Sequence, residues 1–247
     1  MRFHVLTLFP EMMQMIFSSS VTGKAMGKGI VSLETINIRD FADNKYKHID
    51  DYIYGGGSGM LMQARPVYES YLAALESCKD SSEKRKQPRV LYTTPQGRTF
   101  DQRMAEELSK EDDIIILCGH YEGIDERAIE LIKPEEVSIG DFVLTGGELP
   151  AAVIMDSVTR LLPGALGKDD SAVYESFYDN LLEYPQYTRP EEYMGLKVPE
   201  VLLSGHHKNI EKWRLEEAEK RTKEKRPDLY EIYEQEKLKN LKNQKKR

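Results

Sequence analysis

Three stretches of this 247-residue sequence place glycines directly behind apolar runs. They are Thr94-Pro-Gln-Gly97 behind Arg89–Thr93, Gly119-His-Tyr-Glu-Gly123 behind Ile114–Cys118, and the glycine-bearing segment Ile139–Gly147 behind Glu136–Ile139. If the runs are parallel strands, such loops meet outside the carboxyl ends of the sheet, where open α/β sheets bind ligands. Glycine lets backbone N–H and C=O groups come close to a flat heterocycle, but tight turns use it too, so a small-molecule site and plain turn chemistry both stand. None of the three is GxGxxG or GxxxxGK[ST], which leaves dinucleotide and nucleotide-phosphate recognition without support. A fourth cluster, Gly55–Gly59, reads as a lid over a site or as a flexible connector. Asp169, Asp170, Glu175 and Asp179 are candidate carboxylates, with Arg160 just upstream, although carboxylates in such a stretch are usually solvated. His206 and His207 are adjacent and point apart on any regular element, so no metal ligand set is assigned. No GxSxG elbow supports covalent hydrolysis.

The elements that would position these loops alternate between strand-like and helix-like segments. Strands are expected at Phe3–Phe9, Ile30–Ile38, Arg89–Thr93, Ile114–Cys118 and Glu136–Ile139. Helices are expected at Val67–Ser77 behind Pro66, from a Thr99/Gln102 capping box to Leu108, at Ile124–Ile132, and at Leu149–Leu162 with Pro150 in its first turn. This alternation predicts an α/β fold with a parallel sheet covered on both faces. A linker is expected at 164–180. A small, mainly helical domain at 181–247 would follow, with helices at His207–Lys225 and Asp228–Lys242 split by Pro227.

Composition bounds the rest. The chain is 40% hydrophobic and 31% charged, which excludes a disordered or fibrous class. No apolar stretch approaches the roughly 20 residues of a membrane span. MRFHVLTLFPEMM reads as a first strand rather than a leader, and Cys78 and Cys118 need not pair, so a reduced, cytoplasmic protein is expected. The net charge of −7 is unevenly spread: 206–247 carries 14 Lys/Arg against 9 Asp/Glu, leaving −12 on the remainder. A basic end on an acidic body suits an anionic partner, or simply a solvated helix.

Four long motifs then carry a resemblance: Leu91–Gly97, Gly119–Arg127, Ser138–Pro150 and Tyr187-Thr-Arg-Pro190. With Phe9-Pro10-Glu11, Asp50–Met62, Leu202–His207 and Lys212-Trp-Arg214, they make nearly the whole chain resemble the bacterial tRNA (guanine-N1)-methyltransferase family. The resemblance implies a SPOUT-class α/β domain at 1–163 with a deep trefoil knot, which the general avoidance of knots would not predict. It also implies S-adenosylmethionine as methyl donor and methylation of N1 of guanosine 37 next to the anticodon of tRNA. The partners implied are the anticodon stem-loop and a second copy of the chain, a homodimer with composite active sites. It leaves Mg2+ assistance open.

Residue by residue, the resemblance assigns the cofactor to Thr93, Thr94, Pro95 and Gln96, to Gly119, Tyr121, Glu122 and Gly123, and to Ile139, Gly140, Phe142, Leu144, Gly146 and Gly147. Substrate contacts fall on Gly55, Gly59, His120, Arg189, Trp213 and Arg214. Arg160 and Glu175 form the implied catalytic pair, with Asp169, Asp170 and Asp179 as fallback bases. Many members carry aspartate where Glu175 stands, tyrosine where Phe142 stands and arginine where His120 stands. Guanine N1 is protonated at neutral pH. A carboxylate base that removes that proton contributes about 100- to 10,000-fold, and an arginine can hold charge developing on O6. The rival readings are a non-catalytic RNA-binding relative and a methyltransferase for ribosomal RNA or a ribose hydroxyl.

Overall fold

The computed structural model describes residues 1–79, 86–166 and 175–244. The chain divides into two compact units, Met1–Asp169 and Asp170–Arg247.

The first unit runs β1 (Arg2–Thr7), α1 (Pro10–Phe17), α2 (Ser20–Gly27), β2 (Ser32–Asn37), β3 (Asp50–Tyr52), β4 (Met60–Met62), α3 (Ala64–Cys78), β5 (Arg89–Thr99), α4 (Gln102–Leu108), β6 (Asp113–Cys118), α5 (Glu126–Ile132), β7 (Glu135–Ser138) and α6 (Glu148–Thr159). Five strands form one parallel sheet in the order β2-β1-β6-β5-β7. Every residue of β6, from Asp113 through Ile114–Cys118, is buried, as a strand covered on both faces requires. Its side chains alternate between two cores. Ile114, Ile116 and Cys118 join Phe3, Val5 and Leu91 against α1, α2, α4 and α6. Ile115 and Leu117 join Leu6 and Tyr92 against α3 and α5. Each such side chain contributes about 1.5–3 kcal/mol on burial. Phe3 and Phe17 add an edge-to-face pair with centroids 5.6 Å apart. Cys78 and Cys118 are buried on opposite sides of the sheet.

The structure departs from the sequence reading at several places. β5 does not stop at Thr93: both Thr93 and Arg98 stand opposite Val137, so Thr94–Gly97 bulge out of the ladder. A methyl group on Gly97 would lie 2.3 Å from the Glu136 carbonyl carbon and the Val137 nitrogen, so only glycine lets β5 rejoin β7. Thr99 therefore sits in a strand opposite Ser138. The cap of α4 is Asp101, whose side chain accepts from the Met104 N–H at 2.8 Å. β2 ends before Ile38 because Asn37 Oδ1 accepts from the Arg39 N–H and starts a 3-10 turn. α5 begins after Asp125, which caps the Arg127 N–H at 3.0 Å. Helices α1 and α2 occupy 10–27, where no element was expected; Met13 and Phe17, four apart, supply the buried stripe of α1. The glycine cluster lies at the tip of a hairpin, β3 and β4, with Tyr52 opposite Met60.

The second unit holds the hairpin β8 (Glu192–Tyr193) and β9 (Leu196–Lys197), then α7 (Glu200–Leu203), α8 (His207–Lys225) and α9 (Pro227–Gln244). Helix α8 has the expected bounds. Pro227 opens α9 as its first residue. Little apolar surface is buried along α8, so polar contacts register it: Thr222 Oγ1 donates to the Ala218 carbonyl at 2.6 Å and accepts from the Leu182 N–H at 2.8 Å. Glu219 clamps α9, accepting from Tyr233 Oη and Lys237 Nζ, both at 2.6 Å. Burial pushes the Glu219 carboxyl up, but the hydrogen bonds from Lys237 and Tyr233 outweigh it and hold it below its ordinary 4.5. Lys237 is pushed up to about 12, chiefly by its bond to Glu219.

Two outcomes follow from these contacts. Gly97→Ala should destabilise the first unit by about 1–3 kcal/mol through overpacking, read calorimetrically as a melting point lower by several degrees. The Glu219–Lys237 clamp should be fully present between 4.5 and 10.5, fading as pH falls below 4.5 or rises toward about 12. Glu219→Gln should flatten the acid limb of a pH series of helical circular-dichroism melts; an unchanged limb would remove the clamp from the unit's stability.

Candidate functional site

Glycine is required wherever the three loops meet. The Gly147 N–H donates to the Gly119 carbonyl at 2.9 Å. Thr93 Oγ1 donates to the carbonyls of Gly147 (3.2 Å) and Leu117 (3.3 Å). A methyl group on Gly147 would fall 2.3 Å from Thr93 Oγ1 and 2.8 Å from the Cys118 Cα. One residue back, Gly146 bridges to His120. At the start of the same segment, Gly140 exchanges hydrogen bonds with the Ser138 hydroxyl, both at 3.2 Å, and has φ +141 with Phe142 folded against it.

These contacts wall a cavity of about 230 Å3 at the carboxyl ends of β5, β6 and β7. Thr93, Thr94, Pro95, Gly119, Tyr121, Glu122, Gly123, Ile139, Gly140, Phe142, Leu144, Gly146 and Gly147 all line it. Gln96 is not among the lining residues, although it sits in the same bulge. His120, expected at the substrate, also lines this cavity. Tyr92, Val137, Ser138, Val143, Thr145 and Pro150 also line it. Each lies within or beside the motifs, so only their inward orientation was missing from the sequence. Burial pushes the Tyr92 phenol up. Burial, with Glu148 nearby, pushes the Cys118 thiol well up and keeps it an inert core group.

Polar groups on the wall are few and specific. Glu122 offers a carboxylate, and a methyl group on Gly59 would lie 2.5 Å from it, so the hairpin tip meets this loop. The two segments are stitched by Glu122 N–H to Met60 O (3.1 Å), Met62 N–H to Gly123 O (3.0 Å) and Asp125 N–H to Met62 O (2.9 Å). Tyr121 holds a left-handed φ of +58, a strained backbone for a non-glycine residue. The His120 ring packs against Phe9 (5.3 Å) and Tyr121 (5.1 Å), and its buried Nδ1 has no hydrogen-bond partner among the described residues. Beneath the cavity the buried Glu148 accepts from Thr7 Oγ1 at 2.7 Å. It sits in the first turn of α6, where the helix dipole favours a carboxylate.

The remaining candidates fall elsewhere. Arg160 is the half-buried residue that closes α6 in the first unit. Glu175 and Asp179 belong to the second unit, the latter in a 3-10 turn at φ +50. Asp169 and Asp170 lie outside the described residues, as does part of the expected 164–180 linker. Gly55 has open space around it. In the second unit Trp213 pairs with Tyr187 at 6.4 Å, the Arg214 guanidinium stands 4.8 Å over the Tyr184 ring, and Arg189 is exposed. This makes an aromatic and basic surface of the kind that binds nucleic acid. His4, Cys78 and Asp113 gather at the opposite, amino-terminal end of the strands. There Asp113 already accepts from Arg2 Nε (2.5 Å) and Nη2 (3.0 Å), so a guanidinium supplies the cationic charge.

A profile described as tRNA (Guanine-1)-methyltransferase TrmD matches residues 1–232. A protein named tRNA (guanine-N(1)-)-methyltransferase from Lachnospira eligens is 57% identical over 233 residues, covering 94% of this chain and 96% of that one. Proteins of the same name from Clostridioides difficile (53% identical, covering 93% and 97%) and Lachnoclostridium phytofermentans (50% identical, covering 94% and 91%) are similar along the same span. With a profile matched along nearly all of its length and relatives covered almost end to end, the chain belongs to the tRNA (Guanine-1)-methyltransferase TrmD family.

Proposed function

We propose that this chain methylates N1 of guanosine 37 in tRNA, next to the anticodon, with S-adenosylmethionine as donor. The observation that carries the reading is the three-loop cavity at the carboxyl ends of a parallel sheet, in a chain of this family. The donor set fits the cofactor. Bare backbone at Gly119, Gly140, Gly146 and Gly147 suits an adenine edge, Pro95 offers a flat apolar face, and Glu122 is a carboxylate suited to a cationic ligand. When bound, the cofactor supplies an electrophilic sulfonium methyl. The chain's own residues do the rest. Glu175 would take the N1 proton, since protonated guanine N1 is a poor nucleophile. Arg160 would hold charge developing on O6.

Arg160 and Glu175 lie in different units, and the proposal joins them across a homodimer with composite sites. Exposed apolar side chains on α1 (Met15, Ile16), on α6 (Leu149, Val153) and on the cavity loop (Phe142, Val143, Leu144) support a second copy as their cover. The same reading gives cofactor binding to 1–163 and tRNA binding to 181–247, with the Tyr184–Arg214 and Tyr187–Trp213 pairs and the basic α8 on the RNA. It includes the knotted path, for which the return of 139–147 across the ends of β5 and β6 is the supporting feature. A tRNA substrate makes the cytoplasm its place of work. No helix among the described residues is long and apolar enough to cross a membrane.

Gly146→Leu tests the site at its wall, because the added side chain meets the Glu148 carboxylate at 2.6 Å and the His120 ring at 2.9 Å rather than backbone. Calorimetric affinity for S-adenosylmethionine should fall at least tenfold with the circular-dichroism spectrum unchanged; undiminished binding would displace the site. Glu175→Gln keeps the size of the base and removes its basicity. In single-turnover methylation at saturating tRNA its rate should fall roughly 100-fold or more, with cofactor affinity unchanged. A near-normal rate would remove Glu175 as the base.

A further inference from the structure

Beside the glycine hairpin lies a second and larger groove of about 760 Å3, lined by none of the residues of the cofactor cavity. It is bounded by the hairpin residues Tyr52 and Tyr54, by Arg65 and Tyr68 of α3, and by Arg127 and Leu131 of α5. Tyr52 and Tyr54 are 83% and 96% exposed, and Leu131 is exposed beside them. Two tyrosines this open on one short hairpin find no packing role in the unit. The groove also contains matched charge. Asp125 holds Arg127 through both carboxylate oxygens (2.9 and 2.6 Å), and Asp43 and Glu69 hold Arg65. Each guanidinium therefore already has its anion, and the groove presents flat aromatic and apolar surface rather than net positive charge. Such a surface suits the neutral face of a nucleobase better than a phosphate.

The hairpin's attachment says where that base belongs. Strand β4 is bonded through Glu122, Gly123 and Asp125 to the loop that walls the cofactor cavity, while Gly55, Gly56 and Gly57 have positive φ and open space around them. The base of the hairpin is thus fixed to the catalytic wall, and its tip has room to adjust. We propose that this groove is a separate RNA subsite, in which Tyr54, with Tyr52, stacks on one unpaired base of the tRNA loop flanking the target guanosine. The inference rests on the tRNA reading above and adds to it a contact that holds the loop open rather than one that touches the reacting atoms. Tyr52 and Tyr54 are positioning residues: a base drawn out of its stack and held here cannot restack over its neighbour.

The test uses the full chain with an unmodified tRNA transcript. Tyr52→Ala, Tyr54→Ala, the double variant and Tyr54→Phe are compared for direct tRNA binding across a salt series, single-turnover methylation at saturating tRNA, and S-adenosylmethionine affinity. Loss of one stacked base corresponds to about a 5- to 150-fold weaker complex. Tyr54→Ala should show that loss with the saturated rate, the cofactor affinity and the salt slope unchanged, and Tyr54→Phe should restore binding, since the ring and not the hydroxyl stacks. Unchanged tRNA affinity in the double variant would overturn the subsite. So would weakened binding with a shallower salt slope, which marks a lost phosphate contact, or a loss of cofactor affinity, which marks a purely structural hairpin. Failure of the underlying reading is distinguishable, because wild-type protein would then not methylate the transcript at all.

Discussion

The close approach of Gly147 to the ends of β5 and β6 is the constraint on which the rest of the first unit depends. Its N–H reaches the Gly119 carbonyl, and the Thr93 hydroxyl reaches back to its own carbonyl, so the third loop is fastened to both central strands at one point. Helix α6 starts one residue later, and that origin decides where it can lie. Its first turn carries Glu148 to Thr7 at the end of β1, and its buried face, Ala151, Ile154, Met155 and Val158, closes the core against α1 and α4. A side chain at 147 would push the loop off Thr93 and Cys118, moving the helix and opening the cavity together. Cavity wall and core packing meet at this one residue, so a side chain there disturbs both.

The two ends of the sheet are built on opposite principles. At the amino-terminal end every prominent polar group is answered: Arg2 meets Asp113, and His4 faces Asp113 and Glu34 through its two ring nitrogens. That is how a buried charged cluster is made tolerable. The carboxyl end instead keeps local strain and exposed apolar surface. Tyr121 sits at positive φ, His120 keeps a buried nitrogen without a partner among the described residues, and Phe142, Val143 and Leu144 stand out of the surface. Strain and exposure of this kind persist only where surrounding structure holds them, and they gather at functional sites.

Sequence patterns made the sheet legible because its strands are buried on both faces, and a run such as Ile114–Cys118 admits little else. The cavity was legible because its walls are contiguous motifs. What stayed hidden depended on partners distant in sequence. Nothing local says that β5 resumes at Arg98, since that needs Val137 to pair twice. Thr99 makes a sound capping box on paper, and Asp101 displaces it only because Thr99 is taken by the ladder. Helices α1 and α2 stayed hidden because each is only eight residues long, with Ser18 and Ser19 between them and glycines inside α2, and tertiary burial of Met13, Phe17 and Ala25 is what holds such short helices. The groove beside Tyr52 and Tyr54 was invisible for the same reason: it exists only when the hairpin, α3 and α5 come together.

The strand order has a consequence for the growing chain. Strand β1 can pair with β2 as soon as Asn37 has been made, but its other edge belongs to β6, which is complete only at Cys118. At about 5–20 residues per second, the ribosome leaves that edge, with Phe3, Val5 and Leu6 on it, unpaired for roughly 4–16 s. An open apolar strand edge is a template for wrong partners. The helices of 10–27 are already made by the first event and the long α3 follows before the second; both pack on this part of the sheet and can shelter its faces while the edge waits. The hairpin and glycine loop emerge in the same interval, and their anchor at 119–125 arrives only when the sheet closes. On a nascent chain the three-loop cavity can therefore close only after every strand of the sheet has been made and 139–147 has followed β7.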